Sequence, residues 1–294
     1  MDKYLETLGK YDINLNDEEI KAEVQQIIAE NYEANNTEEV LKFSLGCIDL
    51  TTLNPTDNEE RVREFTQKVN EFEELYPELD NVASICVYPN FAEVVSMNLD
   101  VTEVDTTVVS AGFPSSQTFD EIKVAECALA VSKGADEVDI VINVGQFLQG
   151  QYEEMCDTIT ECKEACRGKI FKVILETGAL KSASNIMKAS VLAIYAGADF
   201  IKTSTGKLEP AATPEAVLVM CKAAKAYLEQ TGVRIGLKVA GGVRTPEDAV
   251  KYYSIVKAVL GEEWLTKDLY RIGASSAANN LLSAIVGKSV KHFL

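Results

Sequence analysis

Short apolar runs alternate with longer amphipathic stretches from residue 45 onward. The runs cover 45–50, 82–87, 106–110, 137–143, 170–176, 200–203, 235–239 and 270–273, and each has the length of a buried strand. Between them, 58–75, 119–133, 152–166, 183–195, 213–230 and 246–260 carry apolar residues at helical spacing, and 277–286 is helix-like as well. Successive runs start about 24 to 37 residues apart, the size of a strand, a helix and two loops. Regular alternation of this kind implies a parallel sheet. Eight units in about 250 residues predict a closed (β/α)8 barrel, a TIM barrel, over an open doubly wound sheet.

No low-complexity linker interrupts the alternation, so 41–294 reads as one barrel domain. Residues 1–40 are acidic and helical in pattern, with Ile20, Val24, Ile27 and Ile28 on one side and Asn16 or Asp17 as the N-cap. This segment is expected to pack on the barrel as an extra helix.

A Gly-Ala-Asp repeat gives the register. Gly134-Ala135-Asp136 opens the run containing Asp139, and Gly197-Ala198-Asp199 opens the run containing Lys202. Asp139 and Lys202 both lie three residues beyond the repeated aspartate, so they occupy equivalent positions on strands four and six. Alternate strands of a barrel fill the same interior layer, which predicts that Asp139 and Lys202 point inward at similar depth. Lys238 comes from the neighbouring strand seven. By the same parity Glu137, Asp139, Val141 and Asn143 face inward on strand four, and Lys172, Ile174 and Glu176 on strand five. Lys172 lies early in its strand and is assigned to a structural ion network. Glu176 ends its strand and is a candidate to line the site.

Lysine is rarely buried. A lysine in a pocket beside a second cation loses its proton readily and attacks carbonyls. Lys202, Lys238 and Asp139 at one end of a barrel therefore point to Schiff-base chemistry, although spacing alone leaves open which lysine is the nucleophile. The loops after strands seven and eight carry Gly241-Gly242 and Gly273-Ala274-Ser275-Ser276. Backbone N–H groups and hydroxyls at a helix start suit a phosphate, and barrels often bind phosphate there. Arg244 and Lys207 add positive charge.

The composition narrows the classes. The net charge of −18 argues against nucleic acid and anionic membranes as partners. No apolar run approaches membrane-span length, and the start Met1-Asp2-Lys3-Tyr4 lacks signal-peptide character, so a cytoplasmic protein is expected. The seven cysteines form no Cys-x-x-Cys motif, and Cys162 and Cys166, one helical turn apart, read as reduced thiols. Cys86 reads as packing. The single histidine, His292, reads as a solvated tail residue, and its isolation argues against zinc-hydrolase and Ser-His-Asp chemistry. Two other readings stay open at this point: a Schiff-base aldolase or transaldolase for another phosphosugar, and a barrel that binds a phosphorylated metabolite without catalysis.

Ile48–Leu53, Gly134–Asp139, Glu176-Thr177-Gly178, Phe200–Lys207, Lys238–Arg244 and Tyr270–Ser276 together resemble the deoxyribose-phosphate aldolase family of class I aldolases, over about residues 44 to 287. The resemblance implies reversible cleavage of 2-deoxy-D-ribose 5-phosphate to glyceraldehyde 3-phosphate and acetaldehyde, with no metal and no organic cofactor. It implies that Lys202 is the Schiff-base lysine, that Asp139 and Lys238 assist proton transfer, and that Asp49 and Thr205 lie near the sugar hydroxyls. It also implies that Gly241, Gly242, Gly273, Ser275 and Ser276 form the phosphate site, with Lys207 and Arg244 close by. Oligomeric state is left open, a homodimer or larger homo-oligomer among the options. Some members carry a tail ending in tyrosine that assists proton transfer. The stretch 290–294 has no tyrosine, which leaves tail assistance open, with His292 as a less favoured substitute.

Overall fold

Eight parallel strands close into a barrel in sequence order in a computed structural model that describes residues 3–293. They are β1 (Ile48–Thr51), β2 (Ser84–Val87), β3 (Asp105–Val109), β4 (Glu137–Val141), β5 (Ile170–Ile174), β6 (Phe200–Lys202), β7 (Gly236–Ala240) and β8 (Tyr270–Ala274). Outward residues such as Val138, Ile140, Val173, Ile201, Leu237 and Ile272 are buried in one apolar core. Helix starts are marked in the sequence. Asn58, Ser182, Thr213 and Thr245 each accept a hydrogen bond from the backbone N–H three residues on, and Pro214 and Pro246 follow their caps directly.

The (β/α)8 architecture is as expected, and the strand limits differ at the edges. The apolar run at 45–50 divides: Leu45 lies in the last turn of the helix Glu38–Gly46, and β1 begins only at Ile48. No polar break separates the apolar face of that helix from the strand, so periodicity alone merges them. The stretch 58–75 likewise divides into Glu59–Asn70 and Phe72–Leu75.

Register places the interior side chains in layers. Asp139 pairs with Lys172, Lys172 with Phe200, Ile174 with Lys202, and Lys202 with Lys238. Strands in such a barrel are tilted, so a fixed height is met about two residues later on the next strand but one. Glu137, Phe200, Arg271 and Ser84 thus form a lower layer from even-numbered strands. Lys172, Lys238, Asp49 and Thr107 form a middle layer from odd-numbered strands. Asp139, Lys202, Gly273 and Cys86 form an upper layer nearest the strand C-termini. The Gly-Ala-Asp register expected this pairing of Asp139 with Lys202. Gly273 has a steric reason: a Cβ there would sit 2.7 Å from the Ala240 Cβ and 3.1 Å from the Lys238 Cε.

The segment before the barrel holds two helices rather than one: a short Lys3–Leu8 precedes the longer added helix Asp17–Asn35, capped by the Asn16 side chain. The longer helix lies against the helices Pro214–Thr231 and Pro246–Leu260. Asn35 Nδ2 donates to Ser254 Oγ at 3.0 Å, and the Ala183 N–H donates to Asp17 Oδ1 at 2.7 Å. All seven cysteines are buried. Cys86 packs with Leu53 and Val109, as expected of a packing residue.

His292 departs from the solvated role expected of it. It is half-buried, packs on Phe72, Tyr76 and Phe293, and lies 2.7 Å from the Lys68 carbonyl oxygen. Asn279 Oδ1 accepts from both the His292 and Phe293 N–H groups. Phe72 and Lys68 lie toward the end of the first barrel segment after β1, so the tail is fastened along the outside of the barrel. Met1, Asp2 and Leu294, which belong to the leader and tail expectations, lie outside the described residues. No helix among the described residues is long and apolar enough to cross a membrane.

Candidate active site

Seven charged side chains stack inside the barrel: Asp49, Glu137 and Asp139 against Lys172, Lys202, Lys238 and Arg271, all buried. Asp139 is the hub. Its Oδ2 accepts from Lys202 Nζ at 2.7 Å and from Lys238 Nζ at 2.7 Å, and its Oδ1 accepts from Lys172 Nζ at 3.2 Å. One layer down, Lys238 Nζ lies 2.5 Å from Asp49 Oδ2, and Arg271 Nη1 donates to Asp49 Oδ1 at 2.6 Å. Below that, Arg271 Nη2 donates to Glu137 Oε1 at 2.9 Å, and Lys172 bonds Glu137 Oε2. A buried carboxylate or ammonium is tolerated only when it is paired and hydrogen-bonded.

The partners are unequally shared. Lys172 faces three carboxylates, Lys238 two, Arg271 three, and Lys202 one. Burial lowers the pKa of Lys202, and Lys238 lowers it further against the pull of Asp139. For Lys238 and Lys172 burial also favours the neutral amine, but the carboxylates outweigh it and both are raised. Burial would raise Asp139, yet Lys172, Lys202 and Lys238 hold it well below the ordinary carboxylate range. The lysine that most readily gives up its proton is therefore also the one that opens to a cavity. Lys202 is 4 % exposed, whereas Lys172 and Lys238 are fully buried.

That cavity, about 460 Å³, lies at the C-terminal end of the strands. Lys202 forms its floor, and Thr205, Lys207, Gly241, Gly242, Arg244, Gly273, Ser275 and Ser276 line its walls. Gly241 and Gly242 have φ of +81° and +87°, where a side chain is strained. A Cβ on Gly241 would come within 2.7 Å of the Ala211 Cβ. Ser276 opens the helix Ser276–Val286, whose N-terminus faces the cavity and favours an anion. Lys207 Nζ crosses the mouth to the Leu53 carbonyl oxygen at 2.6 Å. A larger cavity of about 680 Å³ opens at the other end, where Gly46, Asn81, Glu103 and Lys267 precede their strands, and no member of the charged stack lines it.

Two sequence-derived positions sit elsewhere than a substrate wall. Asp49 is fully buried between Lys238 and Arg271 and does not line the cavity. Glu176 does not line it either: its carboxylate accepts from Thr205 Oγ1 at 2.6 Å and from the Thr205 N–H at 3.2 Å, and so fixes the loop that does. Lys172, read as a structural ion, hydrogen-bonds the hub itself.

Sequence reasoning missed Arg61, which lines the same cavity beside Thr51, Thr52 and Asn54. Its Nε lies 3.3 Å from Asp57 Oδ1, while Asp57 Oδ2 accepts from Thr52 Oγ1 at 2.8 Å and the Asn54 N–H at 2.9 Å. The Asn-Pro-Thr-Asp-Asn stretch before the helix marks a turn, but nothing in it reveals which way Arg61 points.

Residues 43–275 match the family model described as DeoC/LacD family aldolase. Over 249 residues the chain is 39 % identical to the deoxyribose-phosphate aldolase of Mus musculus, covering 80 % of this chain and 77 % of that protein. Among solved structures, an aldolase called QR15 is 30 % identical with a TM-score of 0.67, over 83 % of this chain and 96 % of that one. The deoxyribose phosphate aldolase of Aeropyrum pernix, described as a unique tetramer, shares the fold at 24 % identity and a TM-score of 0.65, over 89 % of this chain and 96 % of that one. With a lysine-floored barrel and a family match over most of its length, the chain is an aldolase of the DeoC/LacD family.

Proposed function

We propose that this aldolase cleaves 2-deoxy-D-ribose 5-phosphate reversibly to D-glyceraldehyde 3-phosphate and acetaldehyde through a Schiff base on Lys202, without a metal. The observation that carries this reading is Lys202 itself: a buried amine with one carboxylate partner, flanked by a second cation and open to a cavity with a phosphate-compatible wall. The names of the related proteins support the substrate.

The neutral Lys202 Nζ adds to the C1 aldehyde, and the carbinolamine loses water to give an iminium. The iminium draws in the electron pair of the C2–C3 bond as the C3 hydroxyl gives up its proton, which releases glyceraldehyde 3-phosphate and leaves an enamine. Protonation at C2 restores an iminium, and water then frees acetaldehyde and Lys202. Lys238, held as an ammonium, and Asp139, held ionised, exchange these protons with the intermediates. The phosphate is held at the start of the helix Ser276–Val286 by Ser275, Ser276, Gly241 and Gly242, with Lys207, Arg244 and Arg61 around it. Binding there, remote from the reacting bond, aligns C1 with Lys202. The protein acts in the cytoplasm.

The test is acetaldehyde release from 2-deoxyribose 5-phosphate, with Lys202→Arg as control. Release by the unsubstituted protein and none by the variant is expected; no release by either overturns the reading.

The phosphate wall carries its own prediction. Arg61→Gln and Arg244→Gln each raise KM for the 5-phosphate roughly tenfold, the scale of one charged hydrogen bond, and leave kcat near its original value. The same variants leave KM for unphosphorylated 2-deoxyribose unchanged. Steady-state kinetics on the two sugars check this.

A further inference from the structure

The reading of Lys202 as nucleophile leaves the lower half of the charged stack without a task. Glu137 and Arg271 line neither of the cavities at the barrel ends and lie a layer or more beneath the hub. They are nevertheless tightly built. Glu137 accepts from Arg271, Lys172 and, at 2.5 Å, the Thr107 hydroxyl, whose oxygen in turn accepts from Ser84 Oγ at 2.8 Å. Arg271 holds Asp49 and Glu137 together, bonds the Lys267 carbonyl oxygen through Nε, and lies over the Phe200 ring. Asp105, 3.8 Å from Arg271 Nη2, is the half-exposed end of the stack.

Replacing such a stack by apolar residues is often neutral or stabilising, so stability alone does not account for it. Its geometry offers another account. Lys172 is divided between Glu137 below and Asp139 above, and Arg271 is divided between Glu137 and Asp49. Whatever binds Lys172 downward leaves Asp139 more of its charge for Lys202. Whatever binds Asp49 downward leaves Lys238 more dependent on Asp139. We propose that Glu137 and Arg271 are positioning residues that set the proportion of Lys202 present as free amine, acting through Lys172, Lys238, Asp49 and Asp139. The proposal rests on Lys202 being the Schiff-base nucleophile.

The signs follow from charge. The groups facing Lys202 and its hub are Asp139 from β4, Lys172 from β5, Lys238 from β7, Asp49 from β1 and the Cys86 thiol from β2. In Glu137→Gln one anion is gone and Lys172 turns wholly toward Asp139 and Asp49. Both changes disfavour the ammonium form of Lys202. In the double variant Glu137→Gln/Arg271→Gln one anion and one cation are gone, and the effect on Lys202 cancels to first order. Asp105 titrates near 6, raised by burial and by Glu137, so measurements above pH 7 keep it ionised.

The experiment is the rate of borohydride-trapped adduct formation on Lys202 with acetaldehyde, from pH 7 to 10.5, for the unsubstituted protein, Glu137→Gln and the double variant, with circular dichroism for folding. The apparent pKa is expected to fall by about one unit in Glu137→Gln, the scale of one charge a layer or two away. It is expected to return toward its original value in the double variant. A purely structural role lowers the rate at every pH and leaves the apparent pKa in place. An unmoved or raised pKa in a folded Glu137→Gln, or a double variant that keeps the full shift, overturns the proposal. Failure of the underlying reading looks different, because then the unsubstituted protein gives no adduct on Lys202 at all.

Discussion

Lys202→Leu abolishes turnover, with kcat/KM lower by roughly 10⁴-fold or more, the scale of losing a covalent nucleophile. The fold does not suffer. Asp139 keeps Lys172 and Lys238 as partners when Lys202 is removed. Leucine fills most of the same volume without a desolvated nitrogen. The melting temperature is therefore expected to stay the same or rise, since a buried amine that burial itself disfavours is being taken away. Lys202→Arg is equally inactive, because a guanidinium does not deprotonate near neutral pH. Thermal melts and initial rates on the same preparations check both halves.

Lys238→Leu moves the pH profile while Lys202 remains in place. Both nitrogens lie 2.7 Å from one oxygen of Asp139, so they are at most twice that distance apart. Two like charges at that range in a protein environment repel by about 3 kcal/mol, or about two pKa units. Lys202 has a lowered pKa in the intact site, first through burial and then through Lys238. The reactive free amine is the form present above that pKa, so activity rises with pH through it. Removing Lys238 deletes the repulsion and frees Asp139 to hold Lys202 as ammonium. The acid limb of the kcat/KM profile therefore moves to higher pH, by about two units, and activity at pH 7 falls about 100-fold. Part of the loss returns at pH 9 to 10. A profile that drops without moving would mean that Lys238 serves only as a proton donor.

The barrel and its two lysines were legible because both depend on local spacing. Parity along a strand tells which side chains face inward, and the Gly-Ala-Asp repeat aligns β4 with β6 without knowledge of the fold's dimensions. Depth across strands is different. Lys172 stands early in the apolar run 170–176 and so reads as remote from Lys238, yet β5 itself is only Ile170–Ile174 with Lys172 at its middle, as Lys238 is in β7, and strand tilt puts the two in one layer. Tilt is a property of closure and has no signature in any single strand. The difference between Lys202 and Lys238 was hidden for a related reason: it depends on how three-dimensional carboxylate partners are shared, and of the four buried cations only Lys202 is left with one. His292 was misread because Phe72 comes from a distant part of the chain, and Arg61 was missed because the loops that share its cavity from the far side, 205–207, 240–244 and 273–276, are distant too.

Ala240 and the charged stack together explain why this site needs Gly273. The stem of Lys238 crosses beneath it, and the layer has no room for a Cβ at that position. A barrel core normally filled by branched apolar side chains here holds charges, which is the arrangement expected where function and stability compete.

The most direct measurement is borohydride reduction of the protein in acetaldehyde, followed by peptide mass spectrometry. One ethyl group on Lys202 is expected, absent when borohydride is omitted and absent in Lys202→Arg. An ethyl group found first on Lys238, or a fully active protein with no modified lysine, would contradict the assignment.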